Sequence, residues 1–413
     1  MLFRSNEKRK GVIAILVAIS MVVLLGICAI VLDGGMMMHN KRKIQAVADA
    51  AALAAAEDLY YNYATNKGLD SGSATNTANT VAADNGFITG VVVNIPPKTA
   101  NTTYFNNKPG FVEVVITYEQ PRYFSTIWGT QKLPVVARAI ARGTWTGSGA
   151  AIHVLDATGS SALSSDDDGQ TTVNGAPINV NSNSTSAAFA KGNGKITASQ
   201  INFGGDSASG NGLFVGPITT AVSPTPDPLA YLPDPDSSGM PLQSAVNAQH
   251  GSTTISPGLY KGGISVSNGA SLTMLPGIYY ISGGGFNFSG NGSLTANGVL
   301  ICNEPSISLD DINIAGSGQI TMSPMTTGIY QGITLWQDRT STNPINVTGE
   351  GETNITGTIY AACAKLNVTC NGSDDTLGSQ HICCDLHVSG NGSCKVNYTQ
   401  NSVGNARVIE LVE

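Results

Sequence analysis

The sequence predicts a mixed fold. An N-terminal transmembrane helix and helical stalk precede a small α+β module, and a C-terminal parallel β-helix (a β-solenoid) completes the chain. Three observations carry this expectation. Residues Gly11 to Leu32 bear no charge. An alanine-rich run with helical periodicity follows them. After Trp145, short β-type runs alternate with Gly-Asn-Gly-like corners almost to the end.

Composition agrees with this reading. Only 12% of the 413 residues are charged and 48 are glycine, a profile of repeated β-corners rather than of helical globules. The net charge of −7, with no basic stripe beyond Lys43, argues against a nucleic-acid partner. No motif calls for a cofactor.

Residues 1–10 form a short stub and residues 11–32 an anchor in the lipid bilayer. A helix of that length reaches ~33 Å, against a hydrocarbon core of ~30 Å. The apolar run exceeds that of a cleaved signal, and no Ala-x-Ala follows it. Ile27 before Cys28 does not fit a lipoprotein signal. Leu16 stands where a type IV prepilin cut after Gly11 carries Glu. Arg4, Lys8, Arg9 and Lys10 abut the run, whereas Lys41, Arg42 and Lys43 lie beyond Asp33. That asymmetry favours a cytoplasmic N-terminus. The expectation is a single-pass protein of the cytoplasmic membrane with most of the chain extracytoplasmic, in a bacterial envelope.

Residues 33–64 read as an Ala-rich helical stalk. Ile44, Val47, Ala48, Ala51, Ala55 and Leu59 recur at three- and four-residue spacing and share one stripe. That stripe serves either a bare stalk or a packing surface for a partner in the membrane, because small residues permit close helix approach.

Residues 65–146 read as the α+β module. The pattern predicts a helix over Ala74–Asn85 ended by Gly86, then strands at Val91–Ile95, Phe111–Tyr118 and Pro134–Arg142. Tyr123, Phe124 and Trp128 are expected in its core.

Beyond the module, residues 147–221 form a first β-repeat region and residues 222–252 a Pro-rich excursion holding Pro224, Pro226, Pro228, Pro233, Pro235 and Pro241. That excursion is either a loop out of the solenoid or a linker between an early and a later half. Residues 253–413 form the β-solenoid proper. Corners such as Gly210-Asn211-Gly212, Asn268-Gly269, Gly290-Asn291-Gly292, Gly316-Ser317-Gly318, Gly349-Glu350-Gly351 and Gly390-Asn391-Gly392 call for positive φ. From Asn268 on their spacing suits one coil, and about seven coils fit from Thr253 on.

Six cysteines, Cys302, Cys363, Cys370, Cys383, Cys384 and Cys394, cluster in this last region and suggest disulfides. Residues one coil apart lie ~4.8 Å apart, within disulfide range. The spacings Cys370 to Cys394 and Cys363 to Cys383 both match one coil, so at least one inter-coil bridge is expected, its identity open.

Catalytic signals are sparse. Glycoside hydrolysis needs paired carboxylates flanking the scissile bond. Asp310-Asp311 and Asp374-Asp375, with His381 near the latter, are the candidates, yet neighbours on a strand face opposite ways. Asp156-Ala157-Thr158-Gly159-Ser160 has the Asp-x-Thr-x-Ser spacing and resembles the Mg²⁺ motif of von Willebrand A domains. The Ser/Asp/Gly-rich continuation is not helical, so it reads as a turn. His39, His153, His250, His381 and His387 match no standard metal spacing.

One resemblance concerns the N-terminus. Lys10-Gly11 opening the apolar span, Leu32-Asp33-Gly34, and Ile44-Gln45-Ala46-Val47-Ala48-Asp49-Ala50-Ala51-Ala52-Leu53-Ala54 resemble the N-terminal region of TadG-like proteins of the bacterial Tad/Flp (tight adherence) pilus assembly system. The resemblance covers about the first 55 residues. Residues Phe111–Tyr118, Phe124–Gly129 and Val135–Ala141 resemble the module that follows in such proteins, and strings such as Leu275–Tyr279 and Gly357–Ala361 their repetitive C-terminal regions. It implies contact with Tad/Flp secretion machinery through a helix face bearing Gln45, Asp49, Ala50, Ala51, Leu53 and Ala54. The expected function is that of a non-enzymatic, membrane-anchored pilus-assembly or surface-attachment component displaying a β-solenoid, with surface or polysaccharide contact. The alternative is a surface-anchored carbohydrate-binding or polysaccharide-degrading β-helix.

Overall fold

The computed structural model describes residues 8–98, 104–206, 212–350 and 352–413. Most of the predicted stub (residues 1–7), Gly210 and Asn211 of one corner, and Gly351 of another lie outside the described residues. The chain divides into two compact units, Met1–Trp145 with Val408–Glu413, and Thr146–Arg407.

In the first unit one helix, α1 (Lys8–Tyr61), changes role along its length. From Ile13 to Leu32 it presents apolar side chains outward, Val22 and Ile30 at 71% and 68% exposure among them. Its length and composition are compatible with a single-pass membrane anchor. From Ile44 on, the same helix buries Val47, Ala48, Ala51, Ala52, Ala55, Ala56 and Leu59. They pack on Val112, Val114, Ile116, Ala137, Ala139 and Ala141 of a small sheet and on Ala74, Ala78 and Ala82 of the helix Ser73–Asp84. The stripe is therefore half of a core within this chain, neither a bare stalk nor a face wholly reserved for a partner. Alanine permits it: Gly143 runs so close to α1 that a Cβ there would overlap the Ala56 carbonyl.

The helix Ser73–Asp84 starts where the Asp70 carboxylate accepts hydrogen bonds from the Gly72, Ala74 and Thr75 amides, satisfying donors of its first turn. It ends before Gly86, at φ +90°, as the sequence predicts. The sheet comprises β1 (Val91–Asn94), β2 (Phe111–Gln120), β3 (Leu133–Thr146) and Ala406–Leu411, in that order. That last strand falls within residues 253–413, expected to be solenoid throughout, and instead joins this sheet. The Arg142–Glu410 ion pair at 3.1 Å and a second from Arg138 to Glu413 help hold this end of the chain on the sheet.

The β2–β3 hairpin lies along α1. Contacts progress down the helix from Ala56 beside Gly143, through Gln45 donating to the Arg138 carbonyl (2.7 Å) and Lys41 donating to that of Val136, to Asn40 with Gln120 at 3.1 Å. At Asp33 the hairpin tip is tied. The Asp33 carboxylate accepts from the Ser125 hydroxyl and amide and from the Phe124 and Tyr123 amides. The Ser125 hydroxyl, against the opposing effect of burial and helped by these amides, holds the Asp33 carboxyl below its ordinary value. Because the tip is gripped by its backbone, the rings of Tyr123 and Phe124 point away, at 53% and 54% exposure. These two are thus not core residues, contrary to expectation. The Trp128 side chain lies outside the described residues.

The second unit is a parallel β-solenoid of about eleven turns. Strands of successive turns stack in three columns, and inward side chains alternate with outward ones along most strands. The interior holds Ile281, Phe286, Phe288, Leu294, Ile301, Ile312, Ile314, Leu335 and their equivalents, all buried.

Chain order and stacking order differ. The run begins at Ile152–Val154 in the middle of the stack and climbs by Ile178–Val180 and Ile201–Phe203 to one end at Ile218–Thr219. It restarts at the opposite end, Leu242–Gln243, and returns coil by coil until Gln380–Ser389 pairs with Ile152–Val154 and Leu163–Ser165. The early and later halves are one stack, joined by the Pro-rich segment along the outside. That segment is thus a linker between them. Corner glycines serve two ends: Gly290 sits at φ +96°, whereas Gly292 lacks positive φ and is needed because a Cβ would overlap the Ala270 carbonyl one turn away.

Candidate functional surfaces

The three columns present three chemically different outer faces. In the first, the outward positions Leu259, Tyr280, Cys302, Trp336, Tyr360 and Ile382 pair turn to turn and make an apolar ladder. Together with Leu229 and Leu232 of the Pro-rich segment they form a second core. Strands of this column are therefore buried on both faces and read as continuous apolar runs, such as Val299–Cys302. Those runs were the available sequence signal for a covered face.

Arg339 ties the Pro-rich strap down. Its guanidinium donates to the Leu229 and Leu232 carbonyls and to the Tyr360 hydroxyl, each at 2.7 Å, and to Asp234 at 3.1 Å. The Tyr360 hydroxyl donates in turn to Asp227 at 2.6 Å. Toward the early end of the stack, the Asn181 side chain bonds the backbone of Thr225 in both directions.

The second and third faces are polar ladders. Asn287, Asn313, Asn346 and Asn367 stack in register, with amide hydrogen bonds at 3.1 Å (Asn313 to Asn287) and 2.8 Å (Asn367 to Asn346). In the third column Thr254, Thr273, Thr295 and Thr321 are successive partners. Farther along, Thr376, Lys395, Thr172 and Thr197 continue the file.

The Asn ladder runs on through His387 to Ser164, where a groove of about 630 Å³ opens, lined by Asp156, Asp385, Lys365, His387 and Phe189 among others. Here the Asp156 and Asp385 carboxylates and the Cys384 thiol lie within 4.8 Å of one another. Burial, then the Asp156 charge, raises the Asp385 carboxyl above its usual range, with Lys365 opposing. Burial and the neighbouring Asp385, Asp156 and Cys363 push the Cys384 thiol up to about 11, so it is un-ionised at neutral pH. Ser164 Oγ lies 2.9 Å from His387 Nδ1, and Asp166 lies 4.0 Å from His387 Nε2. At that distance Asp166 does not orient the ring by a hydrogen bond, so the set is a ladder contact more than a built nucleophile. None of Ser164, Asp166 and Lys365 stood out in the sequence; only the stacking of distant strands gathers them.

The other sequence candidates fall elsewhere. Asp156 accepts from the Thr158 and Gly159 amides at 2.8 Å, which makes residues 156–160 a turn. Asp310 binds the Ser306 and Ile307 amides and so caps a loop. The Asp375 carboxylate is buried and accepts from the Thr353 amide, while Asp374 is exposed beside Lys395. His153 and His381 are buried, each with Nδ1 unpartnered among the described residues.

Of the cysteines, Cys370 and Cys394 form a disulfide across adjacent turns, Cα–Cα 5.5 Å, so one of the two coil-spaced pairs is joined. Cys363 is exposed and Cys383 buried, and both are free. The intervening register shift between Ala361 and Lys365 takes Cys363 off the column. Cys302 is a buried free thiol of the strapped ladder, and Cys384 is also free.

On α1, Gln45 donates to Asp49 at 2.8 Å and to β3, and Ala51 is fully buried. Leu53 and Ala54 are half-buried, and Ala50 is exposed. The motif thus divides between this chain's own core and open surface.

Residues 11–58 match the Tad family model, Flp pilus-assembly TadE/G-like. No curated protein and no solved structure matches the chain.

Proposed function

We propose that this protein is a non-enzymatic component of a Tad/Flp-type pilus assembly or surface-attachment apparatus, held in the cytoplasmic membrane by residues 11–32 and displaying its solenoid outside the cytoplasm. The observation that carries this reading is the TadE/G-like match over residues 11–58, which spans the apolar segment and the Ala-rich motif in one continuous helix. Ala50, with the half-buried Leu53 and Ala54, offers the machinery a contact once Ala51 is committed inward. The Asn and Thr ladders suit a spacer or an adhesive face, being uncharged over most of their length.

A photocrosslinking residue at position 50 of the full chain in its native membrane tests the reading. An adduct with a Tad machinery protein that is embedded in the membrane or exposed on its outer side supports it. Loss of any such adduct together with polysaccharide turnover by the purified protein refutes it.

A second reading, a surface-anchored carbohydrate-binding or polysaccharide-degrading β-helix, draws support from the groove beside Asp156, Asp385 and His387. Its carboxylates, Lys365 and Phe189 are the side chains a sugar chain would meet. Asp385→Asn should abolish glycan binding or turnover there if this reading holds, and leave the position-50 adduct untouched.

A further inference from the structure

We propose that the β2–β3 hairpin tip is a second membrane contact, seating Tyr123 and Phe124 in the headgroup–acyl boundary of the leaflet on the module's side of the bilayer. This rests on α1 spanning the membrane. The hairpin travels down α1 toward the apolar segment, from Gly143 beside Ala56 to Tyr123–Ser125 at Asp33. Asp33 directly follows Leu32, the last residue of that segment, so a rise of ~1.5 Å separates their levels along the helix. The Asp33 carboxylate fixes the tip there through its backbone amides and leaves the rings of Tyr123 and Phe124 exposed.

At that depth the exposed Tyr123 has the chemistry of an interfacial belt, its ring toward lipid and its hydroxyl toward water, and Phe124 adds an apolar ring beside it. The surface continues beside the tip. A largely apolar groove of about 400 Å³ lies between α1 and β3, lined by Met37, Met38 and Val136 with Lys41 and Arg42 at its rim. Met38 is 65% and Val136 46% exposed. Apolar side chains below and cations above match an acyl boundary capped by lipid phosphates, and Arg122 and Lys132 flank the tip in sequence. The bilayer, already continuous with this patch through α1, is the occupant.

The test uses the full chain in phospholipid nanodiscs containing, in separate samples, lipid spin-labelled at a shallow and at a deep acyl position. An environment-sensitive dye is attached through a non-natural residue at position 124, at position 25 in the apolar segment, or at position 71 on the far side of the module. Strong quenching at 25 and 124 with little at 71 is expected. Quenching at 25 but not at 124 overturns the proposal and leaves the anchor standing. Absence of quenching at 25 overturns the anchor and the proposal with it. Asp33→Ala should release the tip and lower quenching at 124 while leaving 25 unchanged; an unchanged signal at 124 would deny Asp33 its positioning role.

Discussion

The guanidinium of Arg339 lies 4.8 Å from the centroid of the Trp336 ring, and Tyr360 stacks on that ring at 4.2 Å. Trp336 is fully buried, so the cation closes an apolar ladder that would otherwise face water. Cation, aromatic ladder and strap carbonyls form one fastening at mid-stack.

Arg339→Ala removes the donors to Leu229, Leu232 and Tyr360 together. We expect a loss of about 2–4 kcal/mol and faster proteolysis within residues 222–241, read by limited digestion of the detergent-solubilised protein. Arg339→Lys should recover only part of the loss, because an ammonium cannot reproduce the planar fork. Unchanged digestion in both variants would mean that the strap is held elsewhere.

Reducing Cys370–Cys394, or making Cys394→Ser, removes a cross-link between adjacent turns separated by 24 residues. The expected cost is about 2–4 kcal/mol, seen as a lower Tm with reductant than without. A reductant-insensitive Tm would argue that the bridge contributes nothing to stability.

Gly143→Val should abolish the docking of β3 on α1, since the added side chain meets backbone at Ala56 and has nowhere to move. The expected result is a protease-sensitive first unit whose span is still protected by lipid. A resistant module in this variant would contradict the close packing of Gly143 on Ala56.

Burial pushes His153 and His381 down to about 4, below the ordinary value of about 6.5. Between these values the unfolded chain binds protons that the native chain refuses, so stability rises with pH. Their contribution is complete above pH ~6.5 and falls away as the pH drops toward 4. A Tm profile over that range should slope less steeply for His381→Gln than for the wild-type chain. Parallel slopes would exclude His381 as a source of acid sensitivity.

Much of the fold was legible in the sequence because local rules govern it. The uncharged run, the helix ending before Gly86, the strands at Phe111 and Ser271 and the glycine corners follow from periodicity and φ preference alone. The Cys370–Cys394 pairing was among the options because coil length fixes distance. The exposed Tyr123 and Phe124 were misplaced, since hydropathy reports a ring's affinity for apolar surroundings and does not say whether core or lipid supplies them. The groove at Asp156, Ser164, Lys365 and His387 stayed hidden, for it joins strands that the sequence sets more than two hundred residues apart.

By itself the sequence determined that an apolar helix leads into an alanine-rich one and that a coiled stack of short strands follows, because each depends on neighbours within a few turns or one coil. Only the tertiary structure decided that the early coils stack on the last ones, that a proline-rich strap covers the apolar ladder between Leu259 and Ile382, and that the final strand returns to the first unit. Those choices turn on which exposed edge or apolar face finds the best burial, and burial is a property of the assembled chain.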